Sequence, residues 1–263
     1  MSKALAVLAL LATSALALPA AAEGPILYEV DGRRSGYTFL PSDLQALQDD
    51  PFENPGLLWV EQGRLLWSEF DGPVGRSCAG CHGLADEAMS GVRAHYPRLD
   101  AATGRPVTLE QQINRCRRVQ MKAPPWPWES AELLAMTAFI GKFSYGLPIE
   151  PTIGGPLTSW LERGRELYHA RRGQLDLSCS DCHDGLVGRH LRGDLISQGQ
   201  SNGHPVYRLL WQTLGSVSRM IQWCMDAMRA EPYAPGSEEA VALELYLAWR
   251  ARGLPVETPA VRR

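Results

Sequence analysis

The pentapeptide Cys179-Ser-Asp-Cys182-His183 and its counterpart Cys78-Ala-Gly-Cys81-His82 constrain this chain more than anything else in it. A lone Cys-x-x-Cys suits a zinc knuckle or a redox dithiol equally well. Histidine directly after the second cysteine changes the reading. Each thiol can form a thioether to one haem vinyl group, and the adjacent imidazole is then held beneath the iron. Two copies predict two covalently bound haem c groups, attached through Cys78 and Cys81 and through Cys179 and Cys182, with His82 and His183 on the iron.

The copies belong to a longer internal repeat. Gly56 to Trp67 carries apolar residues at helical spacing, which predicts an amphipathic helix leading into the first signature. Gly63-Arg64 stands 15 residues before Cys78, and Gly164-Arg165 stands 15 before Cys179, an offset of 101. Further on, Ile113-Asn-Arg-Cys116 resembles Ile221-Gln-Trp-Cys224, and Ser130 to Ile140 runs parallel to Ser237 to Leu247. Gly146-Leu-Pro148 with Glu150 then matches Gly253-Leu-Pro255 with Glu257. Pro151 to Pro156, with its two glycines, reads as the linker. The expected fold is mostly α: two tandem cytochrome c-like haem domains with long loops, residues 23–150 and 151–263. The segment from Glu23 to Pro55 carries no chemistry. A short helix over Ser42–Leu47, capped by Ser42, is expected there, packed against the first haem domain.

Lys3, the stretch Ala4 to Leu18, and Pro19 followed by Ala20-Ala21-Ala22 describe a secretory signal peptide, residues 1–22, cleaved near Ala22/Glu23. That stretch is shorter than the roughly 20 apolar residues needed to span a bilayer. An exported protein without a membrane span is expected, and thioether attachment of haem fits the periplasm. A formal charge of -3 with no basic run argues against a nucleic-acid partner.

Each haem needs a second axial ligand from the loop over its far face. Methionine is the usual choice in small cytochromes, and Met121, Met136, Met220, Met225 and Met228 are available. Most methionines fill cores, however, and the cysteines repeat better. Cys116 lies 34 residues beyond His82 and Cys224 lies 41 beyond His183. Two readings stand side by side: a disulfide between Cys116 and Cys224, or a thiolate on each iron, which would lower both potentials. His190 and His204 are read as solvent-facing or structural.

Several stretches resemble the SoxA family, the dihaem cytochrome subunit of SoxAX in bacterial sulfur oxidation. They are Cys179-Ser-Asp-Cys182-His183-Asp, Leu195-Ile-Ser-Gln-Gly-Gln200, Asn202-Gly-His-Pro-Val-Tyr-Arg208, Arg229-Ala-Glu-Pro-Tyr233, Leu243-Glu-Leu-Tyr-Leu-Ala-Trp249 and Ile113-Asn-Arg-Cys-Arg117. The resemblance implies an L-cysteine S-thiosulfotransferase that couples thiosulfate oxidatively to a cysteine of the SoxYZ carrier. Two electrons would pass to a soluble cytochrome c, and a SoxX-like monohaem cytochrome would be the partner subunit. It implies that Cys116 and Cys224 are the axial cysteines of haems 1 and 2, and that Cys224 becomes the catalytic persulfide.

Thiosulfate is a small dianion, so fixed positive charge is expected near Cys224. The family places a basic residue about four positions upstream of the catalytic cysteine, where this chain has Met220. Arg219, five upstream, is therefore the expected substrate contact, with Arg229, five downstream, as the other basic neighbour. Two alternatives compete: a thiosulfate dehydrogenase forming tetrathionate, and a plain dihaem electron carrier. The Ile-x-x-Cys in both halves favours the transferase over the first. The second would need no cysteine at 224.

Overall fold

The computed structural model describes residues 25–263; the expected signal peptide and its cleavage point lie outside them. In chain order the elements are β1 (Glu29–Val30), β2 (Arg33–Arg34), α1 (Ser42–Asp49), α2 (Gly56–Ser68), α3 (Cys78–His82), α4 (Ala85–Ala88), β3 (Arg98–Asp100), β4 (Arg105–Val107) and α5 (Leu109–Cys116). There follow α6 (Ala131–Lys142), α7 (Thr158–His169), α8 (Cys179–His183), β5 (His190–Leu191), β6 (Asp194–Leu195), β7 (Val206–Arg208), β8 (Thr213–Gly215), α9 (Val217–Ala227), α10 (Glu238–Arg250) and β9 (Ala260–Arg262). The fold is mostly helical, as the sequence predicts.

The repeat becomes two crossed helix pairs, α2 on α6 and α7 on α10. Glycine sets the crossing in both. A Cβ on Gly63 would lie 2.2 Å from the Ala135 carbonyl oxygen, and one on Gly164 would lie 2.1 Å from that of Ala242. No side chain fits there, so the backbones touch. Serine caps both closing helices: Ser130 Oγ accepts from Leu133 N at 3.3 Å, and Ser237 Oγ accepts from Ala240 N at 3.2 Å. Around each crossing a core forms, with Val60, Trp67, Leu133, Leu134 and Phe139 in the first half. Leu167, Tyr168, Ile221, Leu243 and Tyr246 make the second. Burying each such side chain contributes about 1.5–3 kcal/mol.

A third cluster joins the halves. Ala94 and Ile149 pack on Ala251, Leu254 and Val256. Above it the two Gly-Leu-Pro tails pair: Gly146 N donates to Val256 O at 2.9 Å, Ile149 N to Leu254 O at 2.8 Å, and Gly253 N back to Ile149 O at 2.9 Å.

One expectation for the N-terminal segment needs correction. Ser42 is the first residue of α1 and Pro41 occupies the cap without a side-chain bond. The segment meets the first half, where Ile26 lies beside Gly146, and it also docks on the C-terminal strand. Gln48 Oε1 accepts from Val261 N at 3.0 Å, and Asn54 Nδ2 donates to Pro259 O at 3.0 Å. Ser35 Oγ donates to Glu257, a buried carboxylate that also binds Asn202 Nδ2 at 2.9 Å and Arg262 at 2.9 Å. The strand β9 that these contacts fix runs parallel to β7.

Candidate haem and thiolate centres

The attachment helices α3 and α8 are single turns, each capped by the preceding serine. Ser77 Oγ accepts from Gly80 N at 2.9 Å and Ser178 Oγ from Asp181 N at 3.2 Å. The second cap is reciprocal, because the Asp181 carboxylate accepts from Ser178 N at 2.9 Å. That backbone bond holds the Asp181 carboxyl below its ordinary range. On so short a helix, cysteines three apart present their thiols on one side.

His183 Nδ1 stands 2.8 Å from the Ser197 carbonyl oxygen. A carbonyl only accepts, so Nδ1 carries the proton and Nε2 is left as a metal donor. Gly199 permits this approach: its φ is +67°, and a Cβ there would sit 2.9 Å from the imidazole. Burial pulls the His183 pKa down, which keeps the ring neutral as ligation requires. In the first half, the Trp67 ring lies 5.7 Å from the His82 ring, and Trp67 Nε1 donates to Gly83 O at 3.2 Å.

Cys116 ends α5, whose start is fixed by a capping box between Thr108 and Gln111. Its Sγ lies 3.3 Å from Gln112 Nε2 and borders a cleft of about 510 Å³ also lined by Leu99, Val107 and Val119. Cys224 sits on α9, capped by Ser216. Burial pushes the Cys78 and Cys179 thiols up to about 11 and that of Cys224 up to about 12. After burial, the largest influence on Cys78 is Cys116, and the largest on Cys224 is Cys179, with Cys182 further down. Both cysteines stand on helices, not on the loop that the sequence predicts, and each lies near its own half's attachment signature: Ile113 packs in one core with Cys78, and Ile221 and Met225 in another with Cys179. All six cysteines are free, and no bond joins Cys116 to Cys224.

The donors suit haem c: paired attachment thiols, a neutral oriented imidazole at His183, and a facing cysteine in each half. A thiol kept protonated by burial becomes a thiolate once a ferric ion supplies positive charge. Met121, Met136 and Met225 are buried, Met228 packs against the second core, and Met220 stands one turn before Cys224 on α9. His190 is exposed in β5, and the His204 carbonyl accepts from Thr258 Oγ1 at 2.8 Å.

The arginines divide. Arg229 is exposed. Arg219 stacks on Trp211 at 4.2 Å and donates to Leu214 O at 3.3 Å. Arg208, on β7, was not singled out from the sequence, although it closes one of the quoted motifs. Its guanidinium lies 4.9 Å from the Trp223 ring centroid and 5.2 Å from that of Trp211. The signal that could have found it is a lone arginine in the otherwise apolar run Val206 to Trp211.

Two crossed helix pairs, each enclosing a one-turn Cys-x-x-Cys-His helix opposite a cysteine, define a cytochrome c protein of two repeats. Comparison with known proteins agrees. The SoxA/TsdA cytochrome c domain model matches residues 62–149 and again 163–256. The chain is 46% identical over 232 residues to the L-cysteine S-thiosulfotransferase subunit SoxA of Rhodovulum sulfidophilum, covering 88% of this chain and 81% of that one. It is 40% identical to the protein of the same name from Pseudaminobacter salicylatoxidans, covering 92% and 85%. A chain of the crystal structure of SoxXA from P. pantotrophus superposes with a TM-score of 0.85 at 36% identity, covering 88% and 87%. The chain belongs to the SoxA family, and as a cytochrome c it is a haem c protein.

Proposed function

We propose that this chain is the catalytic subunit of an L-cysteine S-thiosulfotransferase. In this reading it spans two domains, residues 23–150 and 151–263, and carries two covalently bound haem c groups. Haem 1 is attached through Cys78 and Cys81, with His82 and Cys116 as axial ligands. Haem 2 is attached through Cys179 and Cys182, with His183 and Cys224. The mature protein works in the periplasm after loss of residues 1–22. It pairs with a SoxX-like monohaem cytochrome, acts on the SoxYZ carrier and passes electrons to a soluble cytochrome c. Relatives named SoxA at 40–46% identity support this reading over a tetrathionate-forming dehydrogenase.

The observation that carries the proposal is the place of Cys224 on α9, between Ile221 and Met225, which pack in one core with Cys179 of the second attachment signature. Coupling thiosulfate to a carrier thiol makes one sulfur–sulfur bond and releases one proton and two electrons. Bound haem supplies a redox couple next to the sulfur where that bond is made. Cys224, held as a persulfide, would bond to the sulfane sulfur of thiosulfate as two electrons leave for the cytochrome c acceptor, and attack by the carrier thiolate on that sulfur would break the new bond, carry the thiosulfonate away and return the persulfide. His183, locked by Ser197, fixes the opposite side, and Arg219 adds positive charge to the approach.

Replacing Cys224 with methionine, in the complex with its partner cytochrome, should abolish carrier-dependent thiosulfate oxidation while both haems stay attached. Full turnover by that variant would return the protein to the plain electron carriers. Mass spectrometry should also find a peptide containing Cys224 that is heavier by one sulfur atom.

A further inference from the structure

We propose that Arg208 forms a binding subsite for the sulfonate end of thiosulfate beside Cys224, an inference that rests on the transferase reading above. Arg208 is only 9% exposed. Among the described residues no carboxylate lies within ion-pair distance of it, and its Nε is buried without a partner. Its one side-chain polar contact is weak, Nη1 to Met220 Sδ at 4.0 Å. A buried guanidinium left in that state is strongly unfavourable unless an anion completes it.

Its position gives the anion an address. Met220 and Cys224 lie one turn apart on α9 and share a face. Arg208 touches Met220 and Trp223, so its charge stands at the turn that carries Cys224. Trp211 and Trp223 flank the guanidinium, favouring the cation while limiting water around it.

The first half supplies an internal contrast. Arg117, next to Cys116 and 4% exposed, is fully engaged: Asp71 binds it at 2.7 Å, Pro124 O at 3.1 Å, and Trp126 stacks on it at 3.8 Å. One cysteine centre thus has its neighbouring cation neutralised from within, and the other keeps a buried cation in reserve. Thiosulfate has three sulfonate oxygens at one end and a sulfane sulfur at the other. With its oxygens on the open edge of the Arg208 fork, the sulfane sulfur is the end left for Cys224.

The test uses Arg208→Gln and Arg208→Lys in the haem-loaded complex with its partner. Thiosulfate affinity is measured by calorimetry, KM and kcat with the carrier protein, and the ferric thiolate signal by electron paramagnetic resonance. For Arg208→Gln, Kd and KM should rise about 10- to 100-fold, the loss of a charge-assisted hydrogen bond, with the resonance signal unchanged. Lysine keeps the charge but not the fork, so Arg208→Lys should fall between; should the glutamine variant not fold, that intermediate rise carries the test. Unchanged Kd and KM would overturn the subsite. So would an altered haem signal at unaltered thiosulfate affinity, which would assign Arg208 to the haem carboxylates. If the wild-type complex neither binds nor turns over thiosulfate, the transferase reading falls and the subsite with it.

Discussion

Gly199 shows how one residue can set the tautomer of a neighbouring imidazole. Its left-handed backbone and missing side chain let the chain pass against the His183 ring, so that the Ser197 carbonyl can hold Nδ1. Gly199→Ala would combine a disfavoured φ with a 2.9 Å contact, at a cost of roughly 1–2 kcal/mol. A lower denaturant midpoint, together with a changed absorption band of haem 2 alone, is the expected result. A shift in both haems would show that the strain spreads beyond His183. At this scale the cysteines and histidines were legible because their chemistry requires fixed spacing. The Ser197 carbonyl was not, since any residue type supplies one, and Arg208 escaped notice because it meets Met220 and Trp223 of α9 from another element.

Among the elements, the helix crossings carry the stability. Gly63 and Gly164 hold equivalent places in the repeat and meet equivalent carbonyls at 2.2 and 2.1 Å. Gly63→Ala or Gly164→Ala must push two helices apart, and each should lose about 3 kcal/mol, the upper range for overpacking. Guanidinium unfolding of the two variants checks this, and losses below about 1 kcal/mol would mean that the crossings yield easily. These glycines were visible in the sequence as part of a pattern at an offset of 101, without a reason. The reason is a contact between backbones that only the fold reveals. Strand β9 and its partner β7 were not legible at all. Both are three residues long, and they pair across more than fifty positions.

Across the whole molecule, acidic groups from both halves meet. Glu244 of α10 is buried, and burial, followed by Glu110 of α5, raises its pKa well above the ordinary value. Burial also raises Glu129, which accepts from Ser216 Oγ at 2.5 Å, at the cap of α9. Carboxyls raised in the folded state bind protons more tightly there than in the unfolded chain. Their contribution is therefore complete below pH 4.5, the unperturbed value, and is lost as pH climbs through the raised values. Glu244→Gln should gain on wild type between pH 5 and pH 8 in urea unfolding, by about 1 kcal/mol or more; parallel curves would contradict the assignment. The N-terminal segment, besides touching the first half, closes over Glu257, which is 1% exposed. Glu257→Gln should lower the unfolding midpoint by the equivalent of about 3 kcal/mol by leaving the Arg262 cation buried without its counter-charge. The two Gly-Leu-Pro tails have a consequence of a different kind. Because each supplies backbone donors and acceptors to the other, protease nicking at residues 151–156 should yield two fragments that migrate as one species.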